Sequence, residues 1–583
     1  MASIGTFDSL NPYIEKGTAA SGIHLIYDSL MTQSHDEPFS MYPLIAESVS
    51  LAEDNSSITF FINKNARFHD GHAITAEDVR YTFNLLINKG SPFYSTYYGG
   101  VKTVEIINPL TVRFIFKSTS NQELPLIVSQ LSILPKHFWE KKENNFEAAN
   151  MTIPLGNGAY QISSTEAGKQ ITYKRVENYW AKDLPVKKGH HNIDIRRYDY
   201  YRDTNIAIEA LKAGEYDIRL ENVAKNWATA YEEVSDKSWQ LKKETIKTIS
   251  PKGMQGFAFN TRKPFFSNEI TRRALIYAMD FEWLNRNLFY NGYSRSTSYF
   301  SNSDMEATGL PSKEELVLLT PFKKLLPQKL FTQAYTLPVY DGSGNIRNQL
   351  NSALILLRQA GWQLKNGILK DANQQPFEFE LLLMSPDMER ASLHFKKNLE
   401  KIGIKVDIRT VDVSQYVQRI TALDFDMITT LVSQSSSPGN EQLEYWGSEF
   451  ASVPGSKNLM GVQSAVVDNL IEHIIKAPSR KQLTTAVKAL DRTLLWGNYI
   501  IPHWYLPGLR VVYSDKLKHP DHDPLYDFLF ETWWVDSTNN KPLYPTVTVS
   551  SVDSKKYNII AIIILFGVLC IAYIWRTRVW RKK

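Results

Sequence analysis

The stretch RFHDGHAITAEDVRYTFNLLI, residues 67–87, predicts a tight turn that leads into a helix. Asp70 and Gly71 form a strong turn dipeptide, because glycine tolerates positive φ and aspartate bonds its own backbone. Thr75 is a good N-cap, and Asp78 stands three residues later, where its carboxylate can accept from the free amides of the first turn. Apolar side chains then recur at helical spacing and predict one buried face: Val79, Phe83 and Leu86.

Length and composition limit the classes of protein that the sequence can belong to. The chain has 583 residues, which favours two or three domains over one hydrophobic core. Its single cysteine is Cys570, so residues 1–569 can form no disulfide, cysteine–zinc site or cysteine nucleophile. The net charge of +5 equals the five basic side chains of residues 557–583, a segment without acids. Residues 1–556 are therefore neutral overall, which argues against nucleic-acid binding.

Residues 559–575, IIAIIILFGVLCIAYIW, form an uninterrupted apolar run near the C-terminus. With the two preceding residues, the run has about the length that crosses a bilayer, and a basic cluster follows it. We therefore expect a flexible linker at 546–556, a transmembrane helix at 557–575 and a basic cytoplasmic tail at 576–583. The alternative for the run is a buried core helix. The first residues resemble no signal peptide, so we expect that segment to be missing from this sequence.

Patterns of helix and strand alternate along the body and predict an α/β protein. Residues 57–62 predict a strand, and residues 101–107 with 110–116 predict a hairpin. Helices are expected at 19–30 and at 270–288. Two successive strand–helix pairs predict a parallel sheet: strands 377–384, 405–411 and 425–431, with helices 391–402 and 414–423.

The turn-and-helix stretch resembles the signature of the family 5 extracellular solute-binding proteins, the peptide and nickel receptors of bacterial ABC importers. Further stretches are similar to the YejA-like oligopeptide receptors within that family: GTFDSLNPY at 5–13, LSILPKH at 131–137, YDYYRD at 198–203, SPGNEQ at 437–442 and IPHWY at 501–505. Similar stretches continue to about residue 534, so the resemblance covers nearly the whole body.

The resemblance implies a two-lobed periplasmic-binding-protein fold of type II, cluster C, with an extra small α+β domain. To this α/β fold class we add the expected C-terminal transmembrane helix. The implied domains are lobe I at 1–30, 150–260 and 501–545, domain II at 31–149 and lobe III at 261–500.

The resemblance also implies that an extended peptide is held between the lobes, partly through its backbone. The loop after the apolar strand 425–431 lies at a carboxyl end, where open α/β sheets bind ligands. The expected ligand-binding residues are Thr6, Phe7, Asp8, Asn226, Trp227, Thr229, Ser433, Gln434, Ser435, Asn440 and Glu441.

One position departs from the pattern of related oligo- and dipeptide receptors. Their loop carries an aspartate that pairs with the α-amine of the peptide, and the aligned residue here is Gln434. A neutral amide cannot pair with a charge as a carboxylate does. The amine is then held by Glu441 or Asp8, or a free N-terminus is not required. The alternatives are a plain polar loop at 433–437 and a core position for Trp227.

These features predict the substrate-binding component of an ABC-type oligopeptide importer, without catalysis or cofactor. It would capture peptides or peptide-like compounds in the periplasm and deliver them to permease subunits in the inner membrane, to which the C-terminal helix would anchor it. No metal site is expected, because His69 and His72 flank a glycine turn with no third ligand at metal spacing.

Two other functions stay open at this point. A secreted, membrane-anchored hydrolase could use carboxylates such as Asp199 with Asp203, or Glu221. The sequence lacks the Gly-x-Ser-x-Gly and His-Glu-x-x-His motifs of two large hydrolase classes. A membrane-tethered peptide sensor would need an output domain, and only eight residues follow Trp575.

Overall fold

The computed structural model describes residues 1–37, 40–231, 240–384 and 386–536. Met1–Val535 forms one compact unit. The expected linker at 546–556, membrane segment at 557–575 and basic tail at 576–583 lie outside the described residues.

The predicted fold class needs one correction, which concerns the C-terminal transmembrane helix. Within the described ranges, no helix combines the length and the apolar character needed to cross a bilayer. Even the 18-residue helix Arg480–Gly497 has a mixed sequence that includes Lys481, Lys488 and Asp491. The fold class is therefore the α/β architecture of the described residues, without a membrane span.

Strands from distant parts of the chain build two sheets. Four strands lie in the order Ala2–Ile4, Ile195–Tyr201, Gln170–Arg175 and Tyr160–Glu166, and the first pair is parallel. A second sheet has the order Ile218–Leu220, Gly508–Ser514 and Leu241–Lys247, with both pairs antiparallel. Two helices accompany these strands: Thr204–Ala213 and Ala224–Thr229. The pairings join the three segments predicted for lobe I, whose boundaries remain a prediction.

The turn-and-helix stretch folds as its residues predict. The helix is Ala76–Lys89, and the Asp78 carboxylate accepts from Thr75 N at 3.0 Å and from Thr75 Oγ1 at 2.7 Å. Val79, Phe83 and Leu86 are buried. The helix accompanies an antiparallel sheet in the order Ala46–Leu51, Ser57–Ile62, Thr111–Phe116 and Val101–Asn108, with three shorter helices: Pro92–Tyr97, Leu124–Ser129 and Lys136–Trp139.

The predicted parallel sheet is also present. Its five strands lie in the order Lys405–Thr410, Glu378–Leu383, Met427–Val432, Met254–Phe259 and Ile500–Pro502. The first three are mutually parallel, and Met254–Phe259 is antiparallel to both of its neighbours. Helices Pro386–Glu400 and Val413–Thr421 connect the parallel strands. Further helices lie between residues 264 and 497 of the chain: Pro264–Ser267, Lys313–Leu319, Arg347–Gln359, Glu441–Trp446, Ala465–Ile475 and Arg480–Gly497.

Four short strand pairs complete the described structure. They are Met31–Gln33 with Met41–Pro43, Ser294–Arg295 with Trp504–Tyr505, Gln363–Lys365 with Ile368–Lys370, and Leu517–Lys518 with Trp534–Val535.

Two predicted helices differ from the structure. The expected helix at 270–288 is two helices, Glu269–Ile276 and Phe281–Asn287, because buried Asp280 caps the second one by accepting from Trp283 N at 3.0 Å. The expected helix at 19–30 is only a 3₁₀ turn, Ile23–Ile26. Its Ile26 carbonyl accepts from the amides of Asn157 and Gly158 at 2.9 and 2.8 Å, so it serves a tertiary contact instead of a helix.

Candidate functional site

Two neighbouring chain crossings connect the three-stranded sheet to the five-stranded sheet. Leu241–Lys247 leads into Met254–Phe259, and Ile500–Pro502 leads into Gly508–Ser514. The strands pair with each other on both sides of the crossings. A pair of crossing strands with few residues in each connection is the geometry of a hinge between lobes.

The loop of residues 433–441, called the 433–441 loop below, begins beside the first crossing. Gly253 has φ +71°, and a Cβ there would lie 2.4 Å from the carbonyl oxygen of Val432. Only glycine allows the crossing to pass this close to the end of the strand. The expected ligand loop is thereby positioned against the hinge.

A chain of hydrogen bonds orients the side chain of Gln434. Trp446 Nε1, which can only donate, donates to Gln442 Oε1 at 3.1 Å. Gln442 Nε2 therefore faces the loop and donates to Gln434 Oε1 at 2.7 Å and to Glu441 Oε1 at 3.1 Å. Gln434 Nε2 is buried and has no hydrogen-bond partner among the described residues. Gln434 thus offers a donor, which suits a carbonyl of a ligand and not an ammonium group.

Two carboxylates lie against Gly439. Glu441 accepts from Gly439 N at 2.9 and 3.0 Å. Glu123, from the predicted domain II, accepts from Ser437 Oγ, and a Cβ on Gly439 would lie 2.0 Å from its Oε2 atom. Burial raises the pKa of Glu123 to about 7; the Ser437 hydrogen bond opposes this rise and the charge of Glu441 adds to it. The negative charge of Glu441 thus favours either a proton on Glu123 or a cation near the two carboxylates.

Sequence reasoning missed Glu123, Gln442 and Arg480 as parts of this region. The Arg480 guanidinium donates to the Ser436 carbonyl and pairs with Asp304 at 2.6 Å, which holds the far side of the loop. No spacing in the sequence links Glu123 to Ser437. Gln442 and Arg480 each stand next to a recognisable feature, the expected Glu441 and the start of a helix, but neither residue type suggested its partner.

The remaining residues of the loop are more open. Ser433, Ser435 and Asn440 are exposed, and Ser435 Oγ accepts from Ser437 N at 3.2 Å. These three side chains are therefore accessible from solvent.

The second expected group lies on the short helix Ala224–Thr229. Trp227 is half-buried under two cations: Lys243 Nζ lies 4.9 Å and the Arg510 guanidinium 5.7 Å from its ring centre. Asn226 is also half-buried, and exposed Thr229 donates to the Lys225 carbonyl at 2.9 Å. A ligand that stacks on Trp227 would have to compete with these cation–π contacts.

The third expected group, residues 6–8, is anchored to the first core. Phe7 is 1% exposed and packs on Tyr200 with ring centres 4.7 Å apart, so its side chain is a core residue. Asp8 accepts from Thr18 N at 2.5 Å, which holds a turn. Thr6 and Asp8 are exposed. The structure therefore groups Gln434, Glu441 and Glu123 closely, while the other two expected groups have separate surroundings.

The carboxylates that a hydrolase would need are engaged in structural contacts. Asp199 accepts from Gln170 at 2.8 Å and pairs with Arg197 at 2.9 Å. Asp203 caps the helix Thr204–Ala213. Buried Glu221 accepts from the Tyr231 hydroxyl at 2.6 Å and pairs with Arg219 at 3.2 Å.

Comparison with known proteins places these features in a family. YejA of Escherichia coli (strain K12), described as uncharacterized, is 42% identical over 539 residues, covering 92% of this chain and 88% of that protein. The probable peptide-binding protein YejA of Agrobacterium fabrum is 38% identical over 549 residues, covering 93% of this chain and 89% of its own length.

A solved structure supports the same fold. The oligopeptide-binding protein AppA from Bacillus subtilis, in complex with a nonapeptide, superposes with a TM-score of 0.66 at 21% identity and covers 92% of this chain and 98% of that one. The likeness confirms the two-lobed periplasmic-binding-protein fold for the described residues.

The family model of bacterial extracellular solute-binding proteins, family 5, matches residues 40–452. The expected family is therefore confirmed: the chain belongs to the family 5 bacterial extracellular solute-binding proteins.

Proposed function

We propose that this protein is the substrate-binding component of an ABC-type oligopeptide importer. The observation that carries the proposal is the 433–441 loop, which begins at a carboxyl end of a parallel strand, beside the two crossings, and contacts Glu123 of the predicted domain II. Peptide-binding names among its relatives, and a peptide-bound structure of the same fold, support oligopeptides or peptide-like compounds as ligands. Its site of action would be the periplasm, where it would pass the ligand to permease subunits.

Catalysis is not part of the proposal. The carboxylates considered for a hydrolase each have a structural partner, and this supports a binding role.

Within the site, we assign the peptide amine to Glu441 and Glu123. Gln434 presents a donor and is unsuited to an ammonium group. Asp8 stands alone on its own turn, whereas Glu441 and Glu123 both lie against Gly439 and bring two carboxylates to one point of the loop. Gln434 Nε2 would instead donate to a peptide carbonyl. The exposed loop residues Ser433, Ser435 and Asn440 would contact the backbone further along, with Asn226, Trp227, Thr229 and Thr6 as outer contacts.

The proposal is tested by melting the purified protein with a mixed oligopeptide pool. A ligand that binds only the native state raises the free energy of unfolding by about 2.7 kcal/mol at a concentration of 100 times its Kd. We expect a saturable rise in Tm and recovery of intact peptides by mass spectrometry. Cleaved peptides would favour the hydrolase, and no shift with any peptide would contradict the proposed ligand class.

The amine assignment is tested with Glu441→Gln and the exposed control Glu449→Gln. A hydrogen bond between charged groups contributes about 1.5–3 kcal/mol, so Glu441→Gln should weaken peptides with a free amine by roughly 10- to 100-fold. N-acetylated peptides should bind weakly to the unaltered protein, and their affinity should fall little further in the variant. Equal affinity for free and acetylated peptides would contradict the assignment and leave the receptor function standing.

A further inference from the structure

Three side chains of types that ligate metals, Asp70, His72 and His137, converge at the turn before the helix Ala76–Lys89. His72 Nδ1 lies 2.9 Å and His137 Nε2 lies 2.8 Å from the same atom, Asp70 Oδ2. The sequence supplied two of these residues within the turn, and the fold brings His137 from the segment 131–137. The expectation concerned the spacing of His69 and His72 along the chain; in space, His137 approaches Asp70 and His72, while His69 Nε2 lies 2.8 Å from the Gly158 carbonyl.

The surroundings hold the three groups in this arrangement. Asp70 Oδ1 accepts from His72 N at 3.1 Å, which leaves Oδ2 facing the two rings. The rings of His72 and His137 stack with centres 4.3 Å apart, and Phe68 packs edge-on against His137 at 5.5 Å.

The buried carboxylate of Asp78 forms hydrogen bonds to both of the chain segments that carry these side chains. Asp78 accepts from Thr75 N at 3.0 Å, just after the turn, and from Lys136 N at 3.1 Å, at the start of the helix Lys136–Trp139. Asp78, the third residue of the helix Ala76–Lys89, thus also holds the residue that precedes His137. Both ligand-bearing segments are preorganised by contacts that do not involve the ligands themselves.

The donor set and its distances suit a first-row divalent metal. Imidazole nitrogen with carboxylate oxygen is a donor set typical of zinc, with bonds of about 2.0–2.2 Å. Neighbouring donors are then separated by roughly 2.8–3.1 Å in octahedral and 3.3–3.6 Å in tetrahedral arrangement. The observed 2.8 and 2.9 Å match the octahedral range, and all three donor atoms lie within 4.8 Å of one another.

The exposure of the site leaves room for solvent ligands. The side chain of His72 is 65% exposed and those of Asp70 and His137 are each 33% exposed. Without a metal, both rings would have to bring a proton to one carboxylate oxygen, with His72 protonated on Nδ1 and His137 on Nε2. A metal ion removes this requirement, because each ring then presents a lone pair.

We propose that Asp70, His72 and His137 form a binding site for Zn²⁺, with water completing the coordination. Bound zinc would connect the turn before the helix Ala76–Lys89 to the helix Lys136–Trp139, because it would bind side chains from both. The site is independent of the peptide-binding proposal, since it shares none of the residues assigned there.

A second group of possible metal ligands, Glu244, His519 and Asp523, offers an alternative zinc site among the described residues. Hydrogen bonds account for that group: Glu244 accepts from the Tyr513 hydroxyl at 2.9 Å and lies 3.0 Å from His519 Nε2. The Glu244 oxygen that faces His519 Nε2 is the same Oε2 that already accepts from the Tyr513 hydroxyl, so a metal ion there would have to displace this hydrogen bond. Mutation of the histidines of each group tests which of the two groups binds zinc.

The test is calorimetric titration of tag-free, metal-stripped full-length protein with ZnCl₂ at pH 7.5, with Co²⁺ absorption as a second readout of the ligand set. We expect one zinc ion per chain. His72→Gln and His137→Gln should each lower the affinity by about 100-fold or more, because loss of a residue that only orients a metal ligand already costs 10- to 100-fold. His72 is exposed, so its replacement should leave the Tm of the metal-free protein unchanged.

Two controls make the outcome decisive. His473→Gln changes an exposed histidine on the helix Ala465–Ile475 and should leave the affinity unchanged. His519→Gln should also leave it unchanged. Absence of zinc binding, unaltered binding in both His72→Gln and His137→Gln, or loss of binding only in His519→Gln would overturn the proposal.

Discussion

Replacement of Glu123 by glutamine should change how the stability of this protein depends on pH. Glu123 lies partly buried between Ser437 and Gly439, with Glu441 nearby, and its pKa is raised from the ordinary 4.5 to about 7. Glutamine has the same shape, and its amide oxygen can still accept from Ser437 Oγ. The substitution therefore removes the titration and keeps the contact.

The sign follows from proton linkage. Because the pKa of this acid is higher in the folded state, the folded protein binds more protons than the unfolded chain between pH 4.5 and about 7. The contribution of Glu123 to stability therefore falls as the pH rises through this window and stays lower above it. A tenfold change in proton affinity corresponds to about 1.4 kcal/mol, so the full loss is up to roughly 3 kcal/mol.

The assay is urea unfolding of the unaltered protein and of Glu123→Gln at pH 4.5, 6, 7 and 8. The free energy of unfolding of the variant should exceed that of the unaltered protein by an amount that grows by up to roughly 3 kcal/mol from pH 4.5 to pH 8. Burial also raises the pKa of Asp491 to about 7, but this group is present in both proteins and cancels in the difference.

The matched control is Glu105→Gln, an exposed glutamate on the strand Val101–Asn108 of the same predicted domain. Its difference from the unaltered protein should be constant across the pH range. A constant difference for Glu123→Gln as well would refute the reasoning, because Glu123 would then be as solvated in the folded protein as in the unfolded chain.

Two further substitutions test contacts that the structure identifies. Gly439→Ala places a methyl group 2.0 Å from Glu123 Oε2, so the free energy of unfolding should fall by about 1–3 kcal/mol. Glu123→Ala removes the clashing carboxylate and should relieve this loss in the double variant. An equal loss with and without Glu123→Ala would contradict this contact. Arg492→Met leaves Glu315, its 3.0 Å partner, buried without a cation. This change should lower the free energy of unfolding by about 3–5 kcal/mol, and adding Glu315→Gln should recover part of it; no recovery would contradict pairing as the cause.

Local patterns in the sequence were sufficient for features that depend on near neighbours. The cap at Thr75 and Asp78 needs only residues three apart, and the structure has it as predicted. The strand at 57–62 and the parallel strands of the five-stranded sheet follow from short alternating or apolar runs, and these too were predictable.

The break at Asp280 shows where a local pattern misleads. Residues 270–288 have helical periodicity throughout, but Asp280 is buried and its carboxylate caps a new helix at Phe281. Periodicity cannot distinguish one helix from two that share an apolar face. The burial that decides between them is a property of the whole fold.

The candidate site likewise has some features that the sequence predicts and others that depend on the whole fold. The sequence by itself determined the family, the loop at 433–441 and the absence of an aspartate at Gln434. Only the tertiary structure decided that Gln434 presents a donor, since its orientation follows from a hydrogen-bond chain that begins at Trp446.

Tertiary structure alone also brought Glu123 to Ser437 and His137 to Asp70. The physical reason is the range of the interactions. Capping, turns and periodicity act within a few residues and leave a spacing in the sequence, whereas a contact between distant segments depends on how sheets and loops pack and leaves no spacing to read.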